Sequence, residues 1–248
     1  MKIGASTLAG INDKLEDSLE FIEELGLEYA EILHQYPNQD INIANVESFN
    51  LKYSMHAPFM DVNIASLNKF SRENSIKQIK QTIDTANKIN AECVVVHPGL
   101  IPFLARGFEE VVYDLSNESI KELGEYGQDL GVMVAIENMP SFESMMYQKL
   151  EDLNETLTSL DMFMTLDIGH ANHIGYATNQ MYFDCIKHIH MHDNFGDDDS
   201  HLALGDGSID LKSIINTFED KKYDGIYIIE VNDNDSIKKS YEYIKENF

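Results

Sequence analysis

Short apolar runs alternate with longer stretches in which apolar residues return every three or four positions, from one end of the chain to the other. The runs are KIGAST (2–7), YAEILH (29–34), LKYSMHAP (51–58), CVVVHPG (93–99), VMVAIEN (132–138), MFMTLDIGHAN (162–172), KHIHMHD (187–193) and IYIIEV (226–231). Between them, Leu15, Leu19, Ile22 and Leu25 predict a helix over 15–26, with Gly26 as its stop. Ile76, Ile79, Ile83, Ala86 and Ile89 predict another over 72–90. Residues 108–130 read as one long helix or two short ones; further helices are expected near 150–160, 178–186, 211–220 and 235–247. CVVVHPG and VMVAIEN are nearly continuous in apolar residues, as strands covered on both faces must be.

Strict strand–helix alternation implies a parallel sheet. Eight such units predict an α/β fold, a closed (β/α)8 TIM barrel spanning 1–248 as one domain, with chemistry at the C-terminal ends of the strands. An open doubly wound sheet is the competing architecture. STLAGIND after the first run is not a glycine-rich phosphate loop, which tells against a dinucleotide fold.

The ends of the apolar runs carry the candidate chemistry. They terminate at His56, His97, Glu137, Asp167 (with His170 one helical step on), His190 and Glu230. A closed barrel brings all these tips to one mouth. One histidine at a strand end is usually a structural hydrogen-bonder; six tips of this kind point to a common cation site, because clustered carboxylates resist joint ionisation. His188, His190 and His192 alternate with Ile189 and Met191, so the three imidazoles share one face. By depth, His188 is expected as a buried hydrogen-bonder, His190 as a ligand and His192 as a rim residue touching substrate. Asp199 and His201 follow in the next loop. Imidazole and carboxylate without sulfur suit zinc, manganese or iron, and suit calcium poorly.

Charge narrows the partners. Forty-three acids against 18 bases give a formal net charge of −25, which repels polyanions and tells against a broad nucleic-acid footprint. No run is long and apolar enough to span a membrane, and MKIGASTLAG reads as the start of the fold, not a signal peptide. Cys93 and Cys185 form no CxxC pair and read as reduced thiols of a cytoplasmic protein. No feature of the sequence assigns an oligomeric state.

SMHAPF, VVVHPG, IENM, LDIGHAN, HIHMHDN, DSHLALGDG and IIEV, in this order, resemble the xylose isomerase-like barrel superfamily, and most nearly its endonuclease IV (AP endonuclease family 2) branch. The resemblance implies up to three zinc ions held by His56, His97, Glu137, Asp167, His170, His190, Asp199, His201 and Glu230. It also sets Phe59 and Met60 where that branch has an aromatic–aliphatic wedge, while the basic partner expected after the second strand is absent from AEILHQYPNQD. Sugar isomerases of the superfamily use a single-metal set, here Glu137, Asp167, His190 and Glu230.

Two enzymatic readings follow. The first is a divalent-metal-dependent phosphoester hydrolase of the apurinic/apyrimidinic type, with Glu137 orienting the water and Arg106, after the fourth strand, a candidate phosphate contact whose plainer reading is a surface arginine. The alternative is a metal-dependent sugar or sugar-phosphate isomerase or epimerase, with Glu137 and Glu230 moving a proton on and off carbon. A non-enzymatic metal-binding protein is a third class, disfavoured by the complete ligand set.

Overall fold

A computed structural model describes residues 1–248. Eight strands, β1 (Lys2–Ser6), β2 (Tyr29–Leu33), β3 (Lys52–His56), β4 (Cys93–Val96), β5 (Met133–Glu137), β6 (Phe163–Asp167), β7 (Ile186–Met191) and β8 (Ile226–Ile229), pair in parallel and in sequence order. β8 closes on β1, so the open-sheet alternative falls. The helices are α1 (Leu15–Glu24), α2 (Ile43–Val46), α3 (Lys69–Lys88), α4 (Glu109–Leu130), α5 (Leu150–Leu160), α6 (Ile168–Ile174), α7 (Leu211–Asp220) and α8 (Asn234–Asn247).

The period-two alternation of each strand sorts its side chains. Ile32, Met55, Val94, Val96, Ile136, Leu166, Ile189, Met191 and Ile229 belong to the main apolar core, shared with the helices. Full burial of a side chain such as Ile189 is worth roughly 1.5–3 kcal/mol. The intervening residues face the barrel axis. Low in the barrel they are apolar, with Tyr29, Ile226 and Ile228 in one small cluster and Cys93, Val95 and Ala135 in another. Gly4 is required there, since a Cβ would stand 2.5 Å from the Tyr29 carbonyl oxygen and 2.8 Å from Ile228. Higher up the same faces turn polar: Glu31, Ser54, His56, Glu137, Asp167, His188 and His190 are all buried.

Three details differ from the pattern-based expectation. The segment 178–186 forms only a short 3-10 turn, Thr178–Gln180, and β7 begins inside it at Ile186. The helix of that unit is α6, which starts immediately after β6 because the Asp167 carboxylate accepts from the His170 N–H at 2.7 Å and caps it. α3 begins earlier than expected because Asn68 caps Phe70 and Ser71. A register shift beside Met164 and Thr165 then sets His188 opposite Thr165 and His190 opposite Asp167. No helix is long and apolar enough to cross a membrane.

Candidate metal centre and pocket

His190, on β7, is the hub of a deep group. Its Nδ1 lies 2.9 Å from Glu137 Oε1, 3.2 Å from Glu230 Oε2 and 4.0 Å from Asp167 Oδ2. Its other nitrogen, Nε2, lies 2.8 Å from Glu31 Oε1. Glu31, on β2, also accepts from His188 Nε2 at 2.8 Å and from the Ser54 hydroxyl at 2.9 Å. The side chain of His190 is thus held from below by one carboxylate and presents its Nδ1 to three others.

A second group sits further out. His170 from α6, His192 just past β7, and Asp199 and His201 from the loop after it bring one ligand atom each within 4.8 Å of one another. His192 stacks on His201 with ring centroids 3.9 Å apart. The loop is tied by the Asp193–Leu202 backbone pairing, and the buried Asp193 carboxylate accepts from Asn194, Gly205 and Ile209 N–H groups at 2.9–3.1 Å. A third set, His56, His97 and Glu137, shares Glu137 with the deep group.

Three rings use the same device. His56, His170 and His201 donate Nδ1–H to the backbone carbonyls of Ala57, Asn138 and Glu230 at 2.7, 2.8 and 2.9 Å. That bond turns the Nε2 of each toward a carboxylate, where it carries a proton or, once deprotonated, can face an ion: Glu137 for His56 at 3.4 Å, Asp199 for the other two at 3.3 and 3.5 Å. The donor set suits a divalent cation on a further count. Asp167 Oδ2, His192 Nε2 and Asp199 Oδ1 are buried with no hydrogen-bond partner in the protein. Buried polar atoms are almost always satisfied, so atoms converging without mutual alignment fit a shared ion.

The electrostatics follow from burial against pairing. Burial opposes charge on His190, yet Glu230, Glu31 and Glu137 together hold it protonated, well above the ordinary imidazole range. His170 is likewise raised to about 10, its burial outweighed by Asp167 and Asp199, and His201 to about 9, mainly by Asp199 and Glu230 against burial. Burial raises the acids, but neighbouring histidines more than compensate, leaving Glu31, Glu137, Asp167, Asp199 and Glu230 below their usual values. His97 goes the other way: burial lowers it more than Glu137 restores.

The residues expected at the mouth divide. His56, His97, Glu137, His170, Asp199, His201 and Glu230 line one cavity of about 270 Å³. Asp167 and His190 lie beneath its floor, both fully buried. Phe59 lines it and stacks on His97 with centroids 5.2 Å apart, while Met60 is 56% exposed and outside the lining. His192 is not at the rim: it is 0% exposed, because Gly169 has no side chain and its place is taken by the His192 ring. Arg106 is not at the mouth either. Its side chain is 74% exposed and pairs with Glu143 at 3.3 Å on the surface. His34 is structural, donating to the Gln39 carbonyl at 2.9 Å beside Thr82, and Gln35 pins the Phe59 loop by accepting from Phe59 and Met60 N–H groups at 3.0 and 2.7 Å. Glu31 is the one member of the deep group that the strand-tip pattern misses, although a lone acid between Ala30 and Ile32 in an apolar strand is a visible signal.

Comparison with known proteins corrects the functional expectation. An uncharacterized protein of Methanocaldococcus jannaschii is 32% identical over 260 aligned positions, covering 99% of this chain and 89% of the relative. The crystal structure of a D-tagatose 3-epimerase-like protein superposes with a TM-score of 0.92 at 31% identity, covering 100% of this chain and 97% of the other. Fructoselysine 3-epimerase of Shigella flexneri is 26% identical over 167 residues, 64% of this chain and 59% of the enzyme. The two of these that carry an activity in their names are an epimerase-like protein and an epimerase, which overturns the expected phosphoester hydrolase. Residues 19–247 match the model of one family, and the chain belongs to it: the xylose isomerase-like TIM barrels.

Proposed function

We propose that the chain is a divalent-metal-dependent epimerase or isomerase acting on a small ketose-type substrate. One observation carries this reading: Glu137 and Glu230, at the ends of β5 and β8, both border the cavity and both pair with the buried His190. Glu137, Asp167, His190 and Glu230 would hold the principal ion. When bound, that ion supplies a positive charge that polarises a carbonyl and its neighbouring hydroxyl.

The protein's own groups then move the proton. One glutamate, ionised, takes it from the carbon beside the carbonyl; the other, in its acid form, returns one to the opposite face. The proton count is unchanged over the cycle. His190 holds both carboxylates through its Nδ1, and Phe59, stacked on His97, covers part of the cavity. Zinc, manganese and iron all match the donors, and the outer group of His170, His192, Asp199 and His201, with the His56–His97–Glu137 set, is suited to further ions. The two unpaired cysteines accord with a cytoplasmic protein.

The test is proton exchange. Metal-loaded protein incubated with a panel of ketoses in D2O should incorporate deuterium at the carbon beside the carbonyl, followed by NMR. Glu137→Gln and Glu230→Gln should each slow exchange by about 10²–10⁴-fold. No exchange with any ketose, or exchange indifferent to both substitutions, overturns the proposal.

A further inference from the structure

The cavity has an unusual division of labour. Every polar side chain that lines it belongs to the metal-centre groups: His56, His97, Glu137, His170, Asp199, His201 and Glu230. The remaining side chains are apolar, and Phe59, Leu100, Met139, Pro140, Phe142 and Met145 form much of that wall. No serine, threonine, asparagine, glutamine, tyrosine, lysine or arginine side chain is among the lining residues.

The wall is built, not a chance gap. Leu100 and Met145 pair across the loops that follow β4 and β5, and Ile101 N–H donates to the Ser144 carbonyl at 2.9 Å. Nearby amides are already committed. Asn63 holds the Leu100 backbone through both a donor and an acceptor, at 2.9 and 3.0 Å. Asn138 is bonded to the Asp167 backbone in the same two-way manner, at 3.1 and 2.8 Å. Both arginines of the chain are spent as well: Arg72 on the Ser66 carbonyl at 2.6 Å and Arg106 on Glu143 at 3.3 Å.

A hydroxyl buried against such a wall loses its water partners and gains none, whereas an apolar group there gains contact. A phosphate there would lie against this wall, with no lysine or arginine side chain beside it. Resting on the epimerase reading, we infer that the substrate is an uncharged, non-phosphorylated ketose whose end remote from the reacting carbons is apolar: a deoxy sugar, or one carrying an alkyl or aryl substituent. The polar end lies on the floor, and the apolar end lies along Met139, Phe142 and Met145.

The test measures affinity and exchange separately on metal-loaded protein. A free ketohexose, its 6-deoxy form, its 6-O-benzyl ether and its 6-phosphate are titrated by calorimetry and followed for deuterium exchange. The deoxy and benzyl compounds should bind about tenfold or more tightly than the free sugar, and the phosphate more weakly than any. A single methylene in an apolar pocket discriminates by about 10–200-fold. Phe142→Asn and Met145→Gln, at partly exposed positions that tolerate polarity, should each shrink the benzyl preference at least threefold. If the free sugar or the phosphate binds best, or both variants leave the preference intact, the inference is wrong. If apolar-ended compounds bind preferentially but none exchanges, the inference stands and the epimerase reading falls.

Discussion

The deep and outer groups both combine imidazoles with carboxylates and differ in what holds them. The deep group hangs on strands: Glu31, Glu137, Asp167 and His190 come from β2, β5, β6 and β7, and Glu230 directly follows β8. Their positions are fixed by the barrel's hydrogen-bond ladder, and Glu31 braces His190 from beneath at 2.8 Å. The outer group takes one ligand from a seven-residue helix, one from the residue just past β7 and two from a loop. Its rigidity depends on local devices, namely the Asp193 carboxylate, the missing side chain at Gly169 and a left-handed His201 with φ of +44°. Strand-borne ligands are specified by the fold itself. Loop-borne ligands need their own supports, and those supports can be removed one at a time.

The largest difference should come from the brace of the deep group. Glu31→Gln keeps the shape but replaces one carboxylate oxygen with an amide nitrogen, so the side chain no longer presents an anionic oxygen to each of His188 and His190. Loss of such a partner typically weakens metal binding about 10–100-fold. Chelator competition should show this loss for the most tightly held ion and little change for the others. Equal weakening of all ions would mean that the two groups are not independently supported. An unchanged affinity would mean that Glu31 does not position His190.

Much of this contrast is legible in the amino-acid sequence. Strand–helix alternation marks eight units, and the terminal polar residue of each run marks the mouth, because strand period and barrel closure are properties of local pattern. The shared face of His188, His190 and His192 is readable for the same reason. Depth is not. His192 reads as a rim residue because its burial depends on Gly169 on another strand–helix unit, a contact no local pattern encodes. Glu31 is hidden because YAEILH also ends in His34, which draws attention to a tip that is occupied structurally with Thr82 and Gln39. Chemistry is the least legible. Nine ligand-type residues point to hydrolysis, but ligand residues specify a cation and not what is done to the substrate.

The outer group offers a milder break. In Gly169→Ala the new methyl would overlap the His192 ring, so the ring must leave the space it shares with Asp167 and Asp199. Overpacking of this kind costs about 1–3 kcal/mol, or roughly 2–12 °C in melting temperature for a chain of this size. If His192 is a member of the outer group, the variant should also lose affinity for one ion while retaining the deep one. A melting shift with the full metal complement intact would instead make His192 a packing residue.

The smallest effect is the pH dependence of the metal-free protein, and it separates the groups by titration. His170 and His201 sit at about 10 and about 9, above an ordinary value near 6.5. Both face Asp199, Asp167 and the glutamates of the floor. A group whose folded-state pKa is raised contributes stability that is fully present below its unfolded value and lost as pH rises through the folded one. Asp199, held low by these same histidines against its burial, contributes above its unfolded value near 4 and loses that contribution as pH falls further. The outer cluster should therefore support the metal-free fold most strongly between about pH 4 and 6.5, and release it up to about pH 10. Melting temperature in chelator should decline by a few degrees between pH 7.5 and 10, and His201→Gln should flatten that slope. A divalent ion takes the place of the proton on each ring, so metal binding at pH 7 should release protons, detectable as a buffer-dependent heat by calorimetry. A slope identical in wild type and His201→Gln would show that His201 is not held charged by Asp199 and Glu230.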